Sequence, residues 1–194
     1  MPRPRLARTL AALFALLASG GLTGCDTTSD LGPEFAEIKP EESQVVFAHP
    51  SMAGGSARFF KGRDRNRGGT IYTGSWRPAR SEYPIAQLSL LTLPPGYFFN
   101  HSELDSDLIR NWSGFKDRPF TIEEKATVIN SLGRVTSQRF KSENVSCVAF
   151  AILFGNMDYG AGTRRLDGLY CLPPGAVMTQ DNAEAVIRAV TVKA

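Results

Sequence analysis

Two carboxylate pairs, Asp105 with Asp107 and Glu123 with Glu124, are the first candidates for chemistry, because glycoside hydrolysis needs two acids flanking one bond. Their plainer reading is a solvated helix turn. The chain carries 2 His, His49 and His101, and either could act as a general base. Activation of a nucleophile needs the base within hydrogen-bond reach and an orienting group behind it. Neither histidine sits in a recognisable motif of that kind, so Cys147 is not read as a catalytic thiol. A hydrolase would have to assemble a pocket from dispersed groups, for example His101, Asp105 and a nearby serine. Two histidines and distant cysteines lack zinc spacing, and no aspartate-rich loop fits calcium. "GNMDYGAG", residues 155–162, lacks the Lys and Ser/Thr of a phosphate-cradling loop and reads as a hairpin tip. No catalytic residue, metal, cofactor or nucleic-acid partner is expected.

Two surfaces remain. Lys61, Arg63, Arg65 and Arg67 fall within seven residues, in "KGRDRNR", and such a cluster attracts anionic lipid headgroups or other polyanions. The alternative is a solvated turn paired with acids elsewhere. In "PPGYFFNH", Tyr97, Phe98 and Phe99 are consecutive, and consecutive side chains of a strand point to opposite faces. One of the three is then placed to face a cleft or partner, the alternative being ordinary core and edge packing.

The N-terminus gives an address. Arg3, Arg5 and Arg8 precede an apolar run from Leu10 to Ala18, the layout of a secretory signal. That run is far shorter than the roughly 20 apolar residues of a spanning helix. It closes on Leu22-Thr23-Gly24-Cys25, which resembles the bacterial lipobox. The resemblance implies lipid transfer to the Cys25 sulfur, cleavage after Gly24 and acylation of the new amino terminus. Two or more acyl chains anchor stably where one holds only reversibly. Asp26, directly after the cysteine, fits an inner-membrane retention pattern, although inner and outer membrane stay unresolved. The alternative is an ordinary signal cut near Ala18-Ser19-Gly20.

Cleavage changes the charge account. The precursor's +3 comes from Arg3, Arg5 and Arg8, so removing residues 1–24 leaves a net charge of zero. Residues 25–57 then carry six acids against Lys39, while residues 58–80 carry seven bases against Asp64. The stretch 25–43 is acidic, contains Pro33 and Pro40, and reads as a flexible tether; residues 44–194 read as one globular domain. With Cys25 lipidated, Cys147 and Cys171 remain as a pair in an exported protein, where disulfides persist. If their strands pair antiparallel about Tyr159, the two face each other.

The elements that must position these residues are mostly strands. Runs at 44–49, 56–62, 70–76, 85–93, 133–142, 145–155 and 165–172 are β-branched or aromatic and bounded by turn residues. "RDRNRGG" suggests a hairpin with a basic tip. "SELDSDLIRNW", capped by Ser102, reads as a mid-chain helix with Leu104, Leu108, Ile109 and Trp112 on one face. "TQDNAEAVIRAVTV" reads as a closing helix capped by Thr179, with Ala183, Val186, Ile187 and Val190 on one face. The expected class is α+β: an antiparallel sheet of about six strands with both helices packed on it. The function expected is that of a lipid-anchored, periplasm-facing protein of the bacterial cell envelope that binds or scaffolds without catalysis. Its partners would be the membrane through Cys25, and an envelope protein or anionic headgroups. An envelope hydrolase is the alternative.

Overall fold

Along Thr70–Arg77, Tyr72, Gly74 and Trp76 alternate with Ile71, Thr73 and Ser75, which sends two chemically different sets to opposite faces of a strand. The first set is buried and the second half-buried. Ile85–Thr92 repeats the division, with Ala86, Leu88 and Leu90 buried and Gln87 and Ser89 half-buried. A sheet built from such strands has one apolar face and one mixed face.

The computed structural model describes residues 35–100, 108–155 and 162–193, all within the unit Gly32–Ala194. Ten strands are described: β1 Phe35–Ile38, β2 Val45–Phe47, β3 Ser56–Arg63, β4 Thr70–Arg77, β5 Ile85–Thr92, β6 Thr121–Asn130, β7 Gly133–Ser142, β8 Val145–Phe154, β9 Arg164–Cys171 and β10 Val190–Val192. One α-helix, α1 Gln180–Arg188, precedes β10. Eight strands form the main sheet in the order β1-β3-β4-β5-β9-β8-β7-β6, and β2 pairs with β10 in a second, two-stranded sheet. Every pairing is antiparallel. The protein is thus mostly β, with two meanders, β3-β4-β5 and β6-β7-β8-β9, joined where β9 docks beside β5.

On the apolar face one cross-strand row reads Phe59, Gly74, Leu88, Gly168, Phe150. Large and small residues alternate, and each glycine receives an aromatic ring. A Cβ on Gly168 would lie 2.0 Å from the Phe150 ring, and one on Gly74 would lie 2.3 Å from Trp76. Over this row pack α1 and the small sheet, contributing Val45, Phe47, Val186, Ile187 and Val190 to the core. Fully burying a side chain of this kind contributes about 1.5–3 kcal/mol. Helix α1 starts where the Thr179 side chain accepts the Asn182 N–H at 3.2 Å, with Asp181 in the first turn and Arg188 in the last. It stops one turn earlier than the sequence pattern suggests. The run Val190–Val192 pairs instead with Val45–Phe47, because β-branched residues fit a ladder better than a helix end.

The mixed face is covered over half its width. The connection between β5 and β6, residues 93–120, places Phe99, Leu108 and Ile109 against Phe140, Cys147, Ala149 and Leu153. This segment differs from the expected mid-chain helix. Leu108–Trp112 forms turns rather than helix, with Trp112 N–H bonded to Ile109 O at 3.1 Å and Phe115 N–H to Trp112 O at 2.8 Å; residues 102–107 lie outside the described residues. Its apolar positions are buried against a sheet by short turns, which satisfy the burial pattern without a helix. Strand number also exceeds expectation. β1, β6 and β10 add to the strands foreseen, and Phe35–Ile38 pairs with β3 inside the stretch read as tether. No described helix is long and apolar enough to cross a membrane.

Candidate functional site

Beside the 93–120 segment, the described residues of the mixed face line a cavity of about 1000 Å³. Its floor comes from three neighbouring strands. Thr73 on β4 stands opposite Ser89 on β5, and Ser89 stands opposite Asp167 on β9. In the next row Ser75 stands opposite Gln87. Directly opposed residues have Cβ atoms about 4.5–5.5 Å apart, so these side chains form a compact polar grid. Thr73, Ser75, Gln87 and Ser89 are half-buried and form no side-chain hydrogen bond with another described residue. Their hydroxyl and amide groups are open to the cavity. Apolar walls rise around them: Phe60 of β3, Ile71 and Leu91 of the hairpin β4-β5, and Phe99 and Trp112 from the 93–120 connection.

One ion pair closes the β9 side of the floor. Arg165 and Asp167 are two residues apart on one strand and therefore share a face. Arg165 Nε donates to Asp167 Oδ2 at 2.9 Å and Nη2 donates to Oδ1 at 2.8 Å. Side-chain exposure is 11% for Arg165 and 21% for Asp167. Burial pushes the Asp167 carboxyl above its ordinary pKa, against the downward pull of Arg165. The floor therefore presents little net charge to an occupant.

The expected hairpin with a basic tip is present. Asp64 N–H bonds to Gly69 O at 2.9 Å, Asp64 Oδ1 accepts the N–H groups of Asn66 and Arg67, and Gly68 takes φ +67°. The four cations do not form one cluster. Lys61 Nζ lies 5.4 Å from the Tyr72 ring centroid, on the apolar-face side. The Arg67 guanidinium lies 5.4 Å from the Phe99 ring and lines the cavity. Arg63 and Arg65 are exposed around the turn. Phe35 pairs with Gly62, so the chain joins the sheet next to this tip, and Phe35 also lines the cavity. Arg58 pairs with Glu37 of β1 at 3.0 Å, which holds the Glu37 carboxyl below its ordinary range.

Other sequence candidates take structural places. Cys147 and Cys171 are register partners on β8 and β9 and form a disulfide with Cα atoms 4.1 Å apart. The Leu172 N–H to Ser146 O bond beside them, 3.0 Å, makes theirs a non-hydrogen-bonded position, where side chains approach most closely. Glu123 and Glu124 are on edge strand β6 rather than a helix turn, and Arg139 forms ion pairs with both. Tyr97 and Phe98 are exposed while Phe99 is fully buried, its N–H bonded to Gly162 O at 2.8 Å. Cys25, His101, Asp105 and Asp107 lie outside the described residues.

His49 lies on the opposite, apolar side. Its Nδ1 accepts the Ser51 N–H at 3.3 Å and lies 2.7 Å from Ser51 Oγ, which is 3.0 Å from the Tyr170 hydroxyl. An accepting Nδ1 puts the proton of the neutral ring on Nε2, the Ser51 O–H on Nδ1, and the Tyr170 O–H on Ser51 Oγ. The ring stacks on Phe47 at 5.8 Å, and burial lowers its pKa. A serine hydroxyl and a histidine are thus in contact, but the histidine caps a short 3-10 turn and packs on the core.

Of the cavity lining, Arg67, Phe99 and Trp112 stand out in the sequence, while the polar floor does not. Its signal was present: Thr73, Ser75, Gln87, Ser89 and Asp167 occupy alternate positions in strands that also carry a full apolar set. No known protein family matches this chain, and neither curated proteins nor solved structures give a match.

Proposed function

We propose that this protein is a ligand-binding module held at the membrane of the bacterial cell envelope through lipidated Cys25, facing the periplasm, with the mixed-face cavity as its binding site. The observation that carries the reading is the cavity floor. Four uncharged polar side chains, without side-chain hydrogen bonds to other described residues and walled by aromatic residues, are what a small-molecule site requires: an apolar enclosure with a few convergent polar groups. Support for the anchor comes from the lipobox resemblance, and the Cys147–Cys171 bridge suits an oxidising compartment.

Nine residues separate Cys25 from Phe35. The chain from one to the other reaches at most about 33–36 Å even when fully extended. Because β1 joins the sheet beside the tip, a short tether favours meeting of Arg63 and Arg65 with anionic headgroups, each worth up to about 1 kcal/mol close to the surface. Binding rather than hydrolysis is favoured because the His49 and Ser51 contact is taken up by capping and packing on the other face. The test is retention of a small molecule by the full chain isolated from its own cells, set against Ser75→Trp, which fills the cavity from its floor.

A further inference from the structure

We infer that the cavity takes a short, uncharged oligosaccharide, an inference that rests on the cavity being a ligand site and names its occupant. Three features of the floor decide the class. β4 is paired on both sides, by β3 and β5, and β5 is paired by β4 and β9. The backbone groups of these interior strands are consumed by the ladders, so recognition here falls to side chains alone. A peptide recognised as an added strand needs a free sheet edge, and the floor offers none.

The side chains that remain are hydroxyls and one carboxamide. Thr73 and Ser89 form one cross-strand pair, Ser75 and Gln87 the next, and successive same-face residues lie about 6.6 Å apart along a strand. This grid has the scale of a sugar ring with its substituents. Each hydroxyl both donates and accepts, and the Gln87 amide offers both functions at fixed places. Such groups match a ligand whose polar atoms are themselves hydroxyls and amides. Among the described residues the ion pair of the floor is Arg165 with Asp167, whose opposite charges offset one another.

Flat apolar surfaces complete the match. Trp112 and Phe60 are half-buried in the cavity wall, and the Arg58 guanidinium lies 5.1 Å from the Phe60 ring centroid, which makes Trp112 the main plate. A pyranose ring has one face of C–H groups and a rim of hydroxyls, so it can cover an aromatic plate while its rim meets polar side chains. An acyl chain would leave the polar grid unsatisfied, and an anion would find two described lining cations, Arg165 paired with Asp167 and Arg67 against the Phe99 ring.

The experiment uses the full chain in a detergent without a sugar headgroup. Chitotriose, maltotriose and cellotriose are titrated by calorimetry and by tryptophan fluorescence, with trigalacturonate and trialanine as charged and peptide probes. The chain has 2 Trp, and Trp76 is buried on the opposite face, so Trp112→Phe isolates the reporter. Saturable binding of at least one neutral trisaccharide is expected, with a Trp112 spectral change. Affinity should fall about tenfold or more in Trp112→Phe and in Ser75→Ala/Gln87→Ala, with the thermal transition of the free Ser75→Ala/Gln87→Ala protein unmoved. Binding of trialanine or trigalacturonate alone, blocked by Ser75→Trp, overturns the saccharide assignment and leaves the cavity reading standing. Neutral saccharide binding that ignores all these variants, or no binding of any probe, overturns the assignment as well.

Discussion

Asp167 stands two residues beyond Arg165 on the same face of β9 and receives its guanidinium through Nε and Nη2. A carboxylate with so little exposure is tolerable only because that cation is there. Arg165→Met should therefore destabilise the protein by about 3 kcal/mol, near the low end for breaking a buried pair because part of the carboxyl reaches water. Arg165→Met/Asp167→Leu, which removes both charges, should recover most of the loss. Denaturant unfolding of the two variants checks this, and equal destabilisation in both would show that the pair itself is not the issue.

The Cys147–Cys171 bridge spans a sequence separation of 24 residues. On the chain-entropy account, closing a loop of that size stabilises by roughly 3 kcal/mol. Reduction should lower the melting temperature by about 6–12 °C, given about 2–4 °C per kcal/mol for domains of this size. Non-reducing peptide mapping of envelope-derived protein should recover the two cysteine peptides linked. Two freely alkylated thiols would contradict the bridge.

Acid should weaken the fold through His49. Its folded pKa is depressed below the ordinary 6.5, so the unfolded chain takes up the proton first as pH falls. Its contribution is fully present above 6.5 and is lost as pH falls through the folded value. Protonation also places an N–H on Nδ1, facing the Ser51 N–H that now donates to it. Asp167 has the opposite sign: its raised pKa contributes stability at low pH that is lost as pH rises through the folded value. His49→Asn should flatten the stability profile just below pH 6.5 and leave the carboxylate region unchanged. Chemical denaturation at a series of pH values reads this directly.

Much of this architecture is visible in the residue order, and the failures have physical causes. The hairpin β3-β4, the pairing of β8 with β9 that sets Cys147 opposite Cys171, and the Thr179 cap all follow from local chemistry. Edge strands do not. β6 carries Glu123, Glu124 and Lys125 because an exposed edge is protected by charge, and that same charge hides it among helix turns and loops. β1 is four residues in an acidic stretch, held by its ladder to β3 and the Glu37–Arg58 pair rather than by burial. Leu108, Ile109 and Trp112 have helical spacing, yet a sheet with an unfilled face buries them equally well in turns. The site was obscured for a related reason: polar residues on interior strands look like surface until the sheet order shows that they lie at its centre.

The basic tip yields a prediction about membrane contact. Arg63→Ser should leave the thermal transition unchanged, since its side chain projects from an exposed turn. Binding of the Cys25→Ser chain to vesicles rich in anionic phospholipid at low salt should weaken several-fold, and high salt should abolish the difference. Cosedimentation measures it, and equal binding of the two chains would remove the headgroup contact.

Native mass spectrometry of the full chain, extracted from its own cell envelope, tests the central claim most directly. The expected spectrum shows a chain beginning at Cys25 with covalent lipid, together with a noncovalent small-molecule adduct that is lost in Ser75→Trp. An unlipidated N-terminus would refute the anchor, and an adduct equally present in Ser75→Trp, or absent from the parent, would contradict the cavity as the binding site.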